Sequence, residues 1–409
     1  MKKYMFKFLL LSLMCSFMNV MTACEEEIKR PEVITPLMPD KGPEGTVGTI
    51  GSAEISQTVV FNSGAGNEVY RIPSVVTAND GSILVFAEHR HNSWQDKSYT
   101  DVVCKRSTDG GLHWSSATSI TDAINGGSYA FMDPTPVVDQ KTGKIFVFFT
   151  RWLKGSNNAG AVNNVAYMSE SSDNGVTWTT PVDISSQILA QGMTSSGFGP
   201  GHGISIKEGK YAGRMVVITR QYNGSSNVGY AIYSDDNGKT WTCGSSTTGG
   251  EAQIAEAGLN RLYMNIRKGA TRYTSTSVDG GKTWSTAVED GALPVVDGGC
   301  QASVLGVGED MVFYCGPSSG PAASGHDNRY GLKLYRSAVS GVSWSRSQLL
   351  YEMASGYSDM TILKDGSLAI IFEAGSEQGF IKQSNRPAGW MRLDFLVLPK
   401  EVTDYDYWF

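Results

Sequence analysis

The chain has 409 residues, with 34 Lys and Arg against 40 Asp and Glu, and only 18% of its residues are charged. An apolar share of 41% supplies a sizeable core and excludes a disordered chain. The formal charge of −6 leaves no basic field to neutralise phosphates, so nucleic acid is not an expected partner.

The first element is an address. Lys2, Lys3 and Lys7 precede an apolar run from Phe8 to Val20, too short and wrongly flanked for a membrane-spanning helix. Residues 1–23 therefore read as an export leader. The run ends in Met21-Thr22-Ala23-Cys24, and small residues before a Cys resemble the bacterial lipobox, which implies lipidation of Cys24. Glu25, Glu26 and Glu27 follow, resembling the surface-export signal of Bacteroidetes lipoproteins. The expected location is the outer face of an outer membrane, with the periplasm as the alternative and the lipid as the only membrane contact. Residues 24–52 hold Pro31, Pro36, Pro39 and Pro43 with several Gly and no hydrophobic period; they read as the lipidated end and a tether. Residues 53–409 form the expected folded domain.

Next in chain order comes a repeat. The pattern S-x-D-x-G-x-x-W begins at Ser107, Ser171, Ser234 and Ser277 and ends at Trp114, Trp178, Trp241 and Trp284. A fifth copy, Ser337 to Trp344, carries Val339 in place of the Asp. The Asp carboxylate suits backbone amides of its own turn, the Gly permits positive φ, and the Trp supplies an apolar anchor. Strand-like runs such as Gly229 to Tyr233 precede the copies. Units of about 60 residues with one hairpin turn each suit four-stranded propeller blades. The expected fold is an all-β, six-bladed β-propeller with negligible helix. The repeated Asp is a structural device, because one active site does not need several copies.

Of the six Cys, Cys104, Cys243, Cys300 and Cys315 lie in the folded domain without metal-ligand spacing. Cys300 and Cys315 flank a hairpin turn near Gly306 to Asp310, so a disulfide and two separate buried thiols both stay open. With five His in the chain, histidine-based metal chemistry is not expected, and no metal or other cofactor is implied.

Further stretches occur in a set order: Tyr70-Arg71-Ile72-Pro73, Ala87-Glu88-His89-Arg90, Asp133-Pro134-Thr135-Pro136, Gly199-Pro200-Gly201-His202-Gly203, Glu251-Ala252-Gln253 through Arg267, Arg329, and Gly356-Tyr357-Ser358-Asp359. Their order, with the Asp-boxes, resembles the bacterial exo-α-sialidases across nearly the whole domain. The resemblance implies that Arg71, Arg267 and Arg329 clamp the carboxylate of a sialic acid, a task suited to guanidinium forks. Tyr357 would be the nucleophile and Glu251 its base. A neutral phenol approaches a carbon that already bears a carboxylate without the repulsion a second carboxylate would meet, and sialidases are the general Tyr-nucleophile exception among retaining glycosidases. Asp96, in the loop after Arg90, is the preferred general acid over Asp101, which opens the next strand. That role needs a carboxyl kept partly neutral, which burial could supply. Arg90 and Asp133 would meet hydroxyls near C4. Met132 and Trp152 would line a pocket for the N-acyl methyl, ordinary blade packing being the other reading.

The resulting expectation is hydrolysis, with retention, of terminal α-linked sialic acids on glycoproteins, glycolipids or oligosaccharides. A trans-sialidase or intramolecular trans-sialidase, a hydrolase of another nonulosonic acid, and a non-catalytic glycan-binding propeller are the alternatives. The joint presence of Tyr357, Glu251 and Asp96 favours an enzyme.

Overall fold

A computed structural model describes residues 46–50, 53–63, 68–155, 164–318, 329–375, 380–381, 386–387 and 391–404. The export leader and Cys24 lie outside the described residues.

Among the described residues the strands form six antiparallel blades in a ring. The first blade is Glu68–Thr77, Ile83–His91, Thr100–Ser107 and Thr118–Ser119. The second is Tyr129–Val138, Ile145–Leu153, Val165–Ser171 and Val182–Asp183. In the third, Ser195–Phe198 and Ile204–Ser205 both pair with Met215–Tyr222, followed by Asn227–Ser234 and Thr242–Thr247. The fourth is Ala252–Glu256, Leu262–Lys268, Thr271–Ser277 and Val288–Glu289. The fifth is Ser303–Val307, Met311–Ser318, Tyr330–Ser337 and the first half of the long strand Arg346–Ile362. The second half of that strand opens the sixth blade, beside Leu368–Gly375 and Met391–Leu398. Ala53–Ser63 pairs with Met391–Leu398, so the chain's N-terminal part closes the ring. The expected propeller is the observed fold, and its only α-helical pieces among the described residues are the single turns Asp122–Asn125 and Ser185–Ile188.

One expectation changes, and one open alternative is decided. The tether ends earlier than Ser52, because Thr46–Ile50 is a strand paired with Ala53–Ser63; the short Thr, Val and Ile run outweighs the Gly and Pro content before it. Cys300 and Cys315 do not face each other: Ser303 is the partner of Cys315, and Cys300 lies before the strand. Both thiols are free and buried in different clusters, Cys300 beside Tyr357 and Cys315 beside Phe313.

The Asp-boxes fasten neighbouring blades. In the first box the Ser107 hydroxyl donates to Asp109 at 2.8 Å and accepts the Gly111 N–H at 2.9 Å, while Asp109 accepts the His113 N–H at 3.0 Å. The boxes at Ser171, Ser234 and Ser277 repeat this network. In the fifth copy, which lacks the carboxylate, Ser337 still accepts the Gly341 N–H at 2.9 Å. The Gly does more than permit the turn. A Cβ on Gly175 would stand 1.9 Å from Leu84, one on Gly238 2.1 Å from Phe146, and one on Gly341 2.6 Å from Tyr263, each on the preceding blade. The Trp of the box packs the same way: Trp178 meets Phe86 edge-on at 5.5 Å and Trp241 meets Phe148 at 4.8 Å.

Candidate active site

The residues singled out by motif gather at one end of the inner strands. Three interruptions in strand pairing shape that end. Register shifts fall between Arg71 and Ser74, between Met132 and Thr135, and between Ser355 and Ser358. At the first two, Ile72 and Asp133 adopt φ of 55° and 58°. A β-branched residue in that region is strained, and such strain persists where the surroundings over-determine it. For Ile72 the determinant is Glu373, which accepts its N–H at 3.0 Å.

Glu373 is a residue that the motif reading missed. It is fully buried, receives Arg71 Nε and Nη2 each at 3.0 Å, and accepts the Tyr357 N–H at 3.1 Å. Burial opposes its ionisation, but Arg71 holds its carboxyl below the ordinary range. A sequence signal existed: Glu373 is the one acid in the otherwise apolar strand Leu368–Gly375, and a buried charge must be paired.

Tyr357 stands at the centre. Its hydroxyl donates to Glu251 at 2.7 Å and accepts from Arg267 Nη1 at 2.9 Å. The Cζ atoms of Arg71 and Arg329 lie 6.0 Å and 5.5 Å from its ring centre. The three arginines, from the first, fourth and fifth blades, therefore surround one phenol. Arg267 also pairs with Glu251 at 2.7 Å, and Arg329 Nε donates to the Gly299 carbonyl at 3.1 Å. Burial, then the Glu251 charge, pushes the Tyr357 hydroxyl well above its ordinary value, so the resting phenol keeps its proton. Burial works against ionisation of Glu251, yet Arg267 and Arg220 hold its carboxyl at about 2.

The other side of the site is organised by Glu88 of the Ala87–Arg90 motif, which is fully buried. It accepts Arg90 Nε at 2.8 Å and the Asp133 N–H at 3.0 Å. Asp133 pairs with Arg220 at 2.6 Å, a second residue the motifs missed; Arg220 also donates to the Phe198 carbonyl. Burial raises the Asp133 carboxyl to about 7; Arg220 opposes the rise, and Glu88, Glu251 and Asp96 add to it.

Asp96 lies at the same rim, where it pairs with Arg90 Nη1 at 2.7 Å and its side chain is 56% exposed. Burial would raise its pKa, but Arg90 and Arg71 hold the carboxyl below its ordinary range. The expected partly neutral carboxyl is thus not the resting state; the two guanidiniums outweigh what burial supplies. Asp101 is placed differently. It accepts from Thr121 at 2.8 Å and Asn125 at 2.6 Å and contacts His91, bracing the strand from below the loop.

Met132 is buried, and Trp152 lies on the neighbouring strand of the second blade: Met132 opposes Thr150 and Ala130 opposes Trp152, so both side chains share a face. Lys97 Nζ sits 4.2 Å over the Trp152 ring, and the Lys97 carbonyl accepts the Gly155 N–H at 2.9 Å. The loop that carries Asp96 is thereby fastened to the second blade.

Set against known proteins, the BNR repeat-like domain matches residues 81–370. The chain belongs to the BNR repeat-like domain family. More particularly, it is 30% identical over 338 residues to a sialidase of Bacteroides fragilis, a match covering 75% of this chain and 60% of that relative. It is 29% identical over 353 residues to a sialidase of Paraclostridium sordellii, covering 78% of this chain and 86% of the relative. Among solved structures it resembles the Hadza microbial sialidase Hz136, with a TM-score of 0.72 and 25% identity over 85% of this chain and 69% of that one. The chain spans less than two thirds of the length of the Bacteroides fragilis relative.

Proposed function

We propose that the protein is an exo-α-sialidase that hydrolyses terminal α-linked sialic acids with retention. The observation that carries this reading is the Tyr357–Glu251 hydrogen bond of 2.7 Å, enclosed by Arg71, Arg267 and Arg329. Three guanidiniums around one phenol suit a substrate that brings a carboxylate to the reacting carbon. Charged donors already in place also stabilise the transition state without reorganisation.

In the first half-reaction Tyr357 passes its proton to Glu251 as its oxygen bonds to the anomeric carbon. The bond from that carbon to the leaving oxygen breaks, and Asp96 protonates that oxygen. The Tyr357–sugar bond is then opened by water, which gives its proton to Asp96, while Glu251 returns the phenol proton to Tyr357. Glu251 is too acidic to strip the resting phenol outright. Proton transfer therefore accompanies bond formation rather than preceding it. Asp96 has to gain a proton once the substrate carboxylate offsets Arg71, one of the two charges that hold it ionised. Arg90 and Asp133 bind ring hydroxyls, and Met132 and Trp152 face the N-acyl group. Cys24, if acylated after removal of residues 1–23, would fix the domain to an outer membrane, with sialylated glycans as its partners.

The test is release of a fluorogenic aglycone from an α-sialoside by the parent, Tyr357→Phe and Asp96→Asn proteins, with mass spectrometry of acid-quenched reactions. A sugar adduct on the peptide bearing Tyr357 supports the reading. A folded parent that releases nothing and forms no adduct overturns it.

A further inference from the structure

Outside this cleft, the first blade brings together a second set of chemically capable side chains. His89 and His91 are alternate residues of the strand Ile83–His91, so both project from one face. On the adjacent strand Glu68 is the register partner of His91, and Tyr70 that of His89, which places them on the same face. One ligand atom from each of Glu68, His89 and His91 lies within 4.8 Å of the others. Glu68 already contacts His89 Nε2. Five His in the chain gave no hint of this from composition; strand alternation and register supply the proximity.

The surroundings are those of a built site. The His91 Nε2 atom lies 2.8 Å from Asp101, a carboxylate that is itself buried and held by Thr121 and Asn125. A carboxylate on one ring nitrogen fixes the tautomer and leaves a lone pair on the other, the usual support of a metal-ligating imidazole. Tyr70 stacks on His89 at 4.7 Å with planes 13° apart, and Tyr99 stacks on His91 at 4.3 Å and 16°, so neither ring turns freely. The side chains of Glu68, His89 and His91 are 37%, 18% and 24% exposed, which leaves an entry path from solvent.

We infer that Glu68, His89 and His91 form a binding site for one divalent transition-metal ion of the zinc type, with Asp101 as the outer support of His91. Two imidazoles and one carboxylate suit zinc, nickel or copper, whereas calcium and magnesium take oxygen ligands. Three protein ligands leave a further position for water. The place in the fold gives the ion a purpose. His91 is the last residue of its strand before the Asp96 loop, and its N–H donates to the Tyr99 carbonyl at 2.9 Å across the base of that loop. A bound ion clamps the strand from which the loop departs to its neighbour Glu68–Thr77.

The test is direct binding, independent of any sialidase activity. The whole chain, stripped with a chelator, is titrated calorimetrically with zinc chloride, and cobalt(II) is added in parallel to read its visible absorption. One equivalent of zinc, a cobalt band in the parent, and a rise in Tm with zinc are expected. His89→Ala should weaken binding at least about 100-fold, Asp101→Asn about 10- to 100-fold, and His113→Ala, on an exposed turn, not at all. Should His89→Ala fail to fold by circular dichroism, Glu68→Gln replaces it. Absence of stoichiometric binding in the parent, or parent-like binding in a folded His89→Ala or Glu68→Gln protein, overturns the inference; the cluster is then a hydrogen-bonded acid–imidazole network only.

Discussion

The Tyr357 hydroxyl meets the Glu251 carboxylate at 2.7 Å, although 106 positions separate the two residues in sequence. Glu251 precedes the inner strand of the fourth blade, and Tyr357 lies on the inner strand of the sixth. The pair therefore exists only once the fourth and sixth blades have come together. Tyr357→Phe keeps the ring shape and removes the phenol oxygen proposed as the nucleophile. Turnover should fall on the order of 10³-fold or more with Tm little changed. Steady-state kinetics beside a melting curve reads both, and near-parent turnover would remove Tyr357 from the mechanism.

Asp96 is held ionised by Arg90 and Arg71 at rest, so its value as an acid depends on how much help the leaving group needs. Asp96→Asn should cost about 10²- to 10⁴-fold on a sialyl oligosaccharide, whose leaving alcohol needs a proton, and much less on an aryl sialoside with an acidic leaving group. Comparison of the two substrates measures this; an equal loss on both assigns Asp96 to binding instead.

Glu373 holds the Arg71 guanidinium and the Tyr357 backbone N–H at once. Loss of one partner of a buried ion pair costs about 3–5 kcal/mol. Glu373→Ala should show that loss in denaturant unfolding, together with a lower kcat/KM because Arg71 and Ile72 lose their restraint.

Two adjacent glycines separate backbone need from packing need. Gly110 has φ +77° and nothing within 4 Å of an added Cβ, whereas Gly111 has φ +92° and would place a Cβ 2.4 Å from the Phe395 ring. Gly110→Ala should cost about 1 kcal/mol, from the left-handed backbone alone. Gly111→Ala should cost about 2–4 kcal/mol, because overpacking adds to it. Chemical denaturation of the two variants gives the difference, and equal costs would mean that Phe395 gives way.

Acid should weaken the fold in a defined window. Hydrogen bonds inside their turns hold Asp109 and Asp173 at about 2, against an ordinary 3.8. Arg267 and Arg220, working against burial, hold Glu251 at about 2, against an ordinary 4.5. A carboxyl lowered in the folded state stabilises above its ordinary value, and that stabilisation is lost as pH falls through the folded value. Tm should therefore drop from about pH 4.5 towards pH 2, and Asp109→Asn should make the drop shallower. A Tm that is flat across that window counts against these lowered values.

Much of this was legible in the sequence because it is local. Each Asp-box writes its own turn in eight residues, and repetition of the turn announces the blades. Tyr357, Glu251 and the arginines were found by motif order. Glu88, Glu373 and Arg220 were not, because they touch the site from second strands; Glu373 alone carried a local signal, as the one acid of an apolar strand, and its partners appear only when blades meet. The Cys300 and Cys315 pairing depended on register, and composition does not set register: a shift of three residues put Ser303 opposite Cys315. The His89 and His91 cluster stayed hidden for the same reason, since Glu68 joins it through strand pairing alone.

The strand Ala53–Ser63 is the first long one of the ring and yet completes the last blade. That blade carries both Tyr357 and Glu373. A chain delivered through a membrane with its N-terminus leading would hold this strand without its neighbour until Met391–Leu398 had emerged. If the chain is exported and acts as proposed, the site around Tyr357 and Glu373 would stay incomplete until this strand pairing closes the last blade.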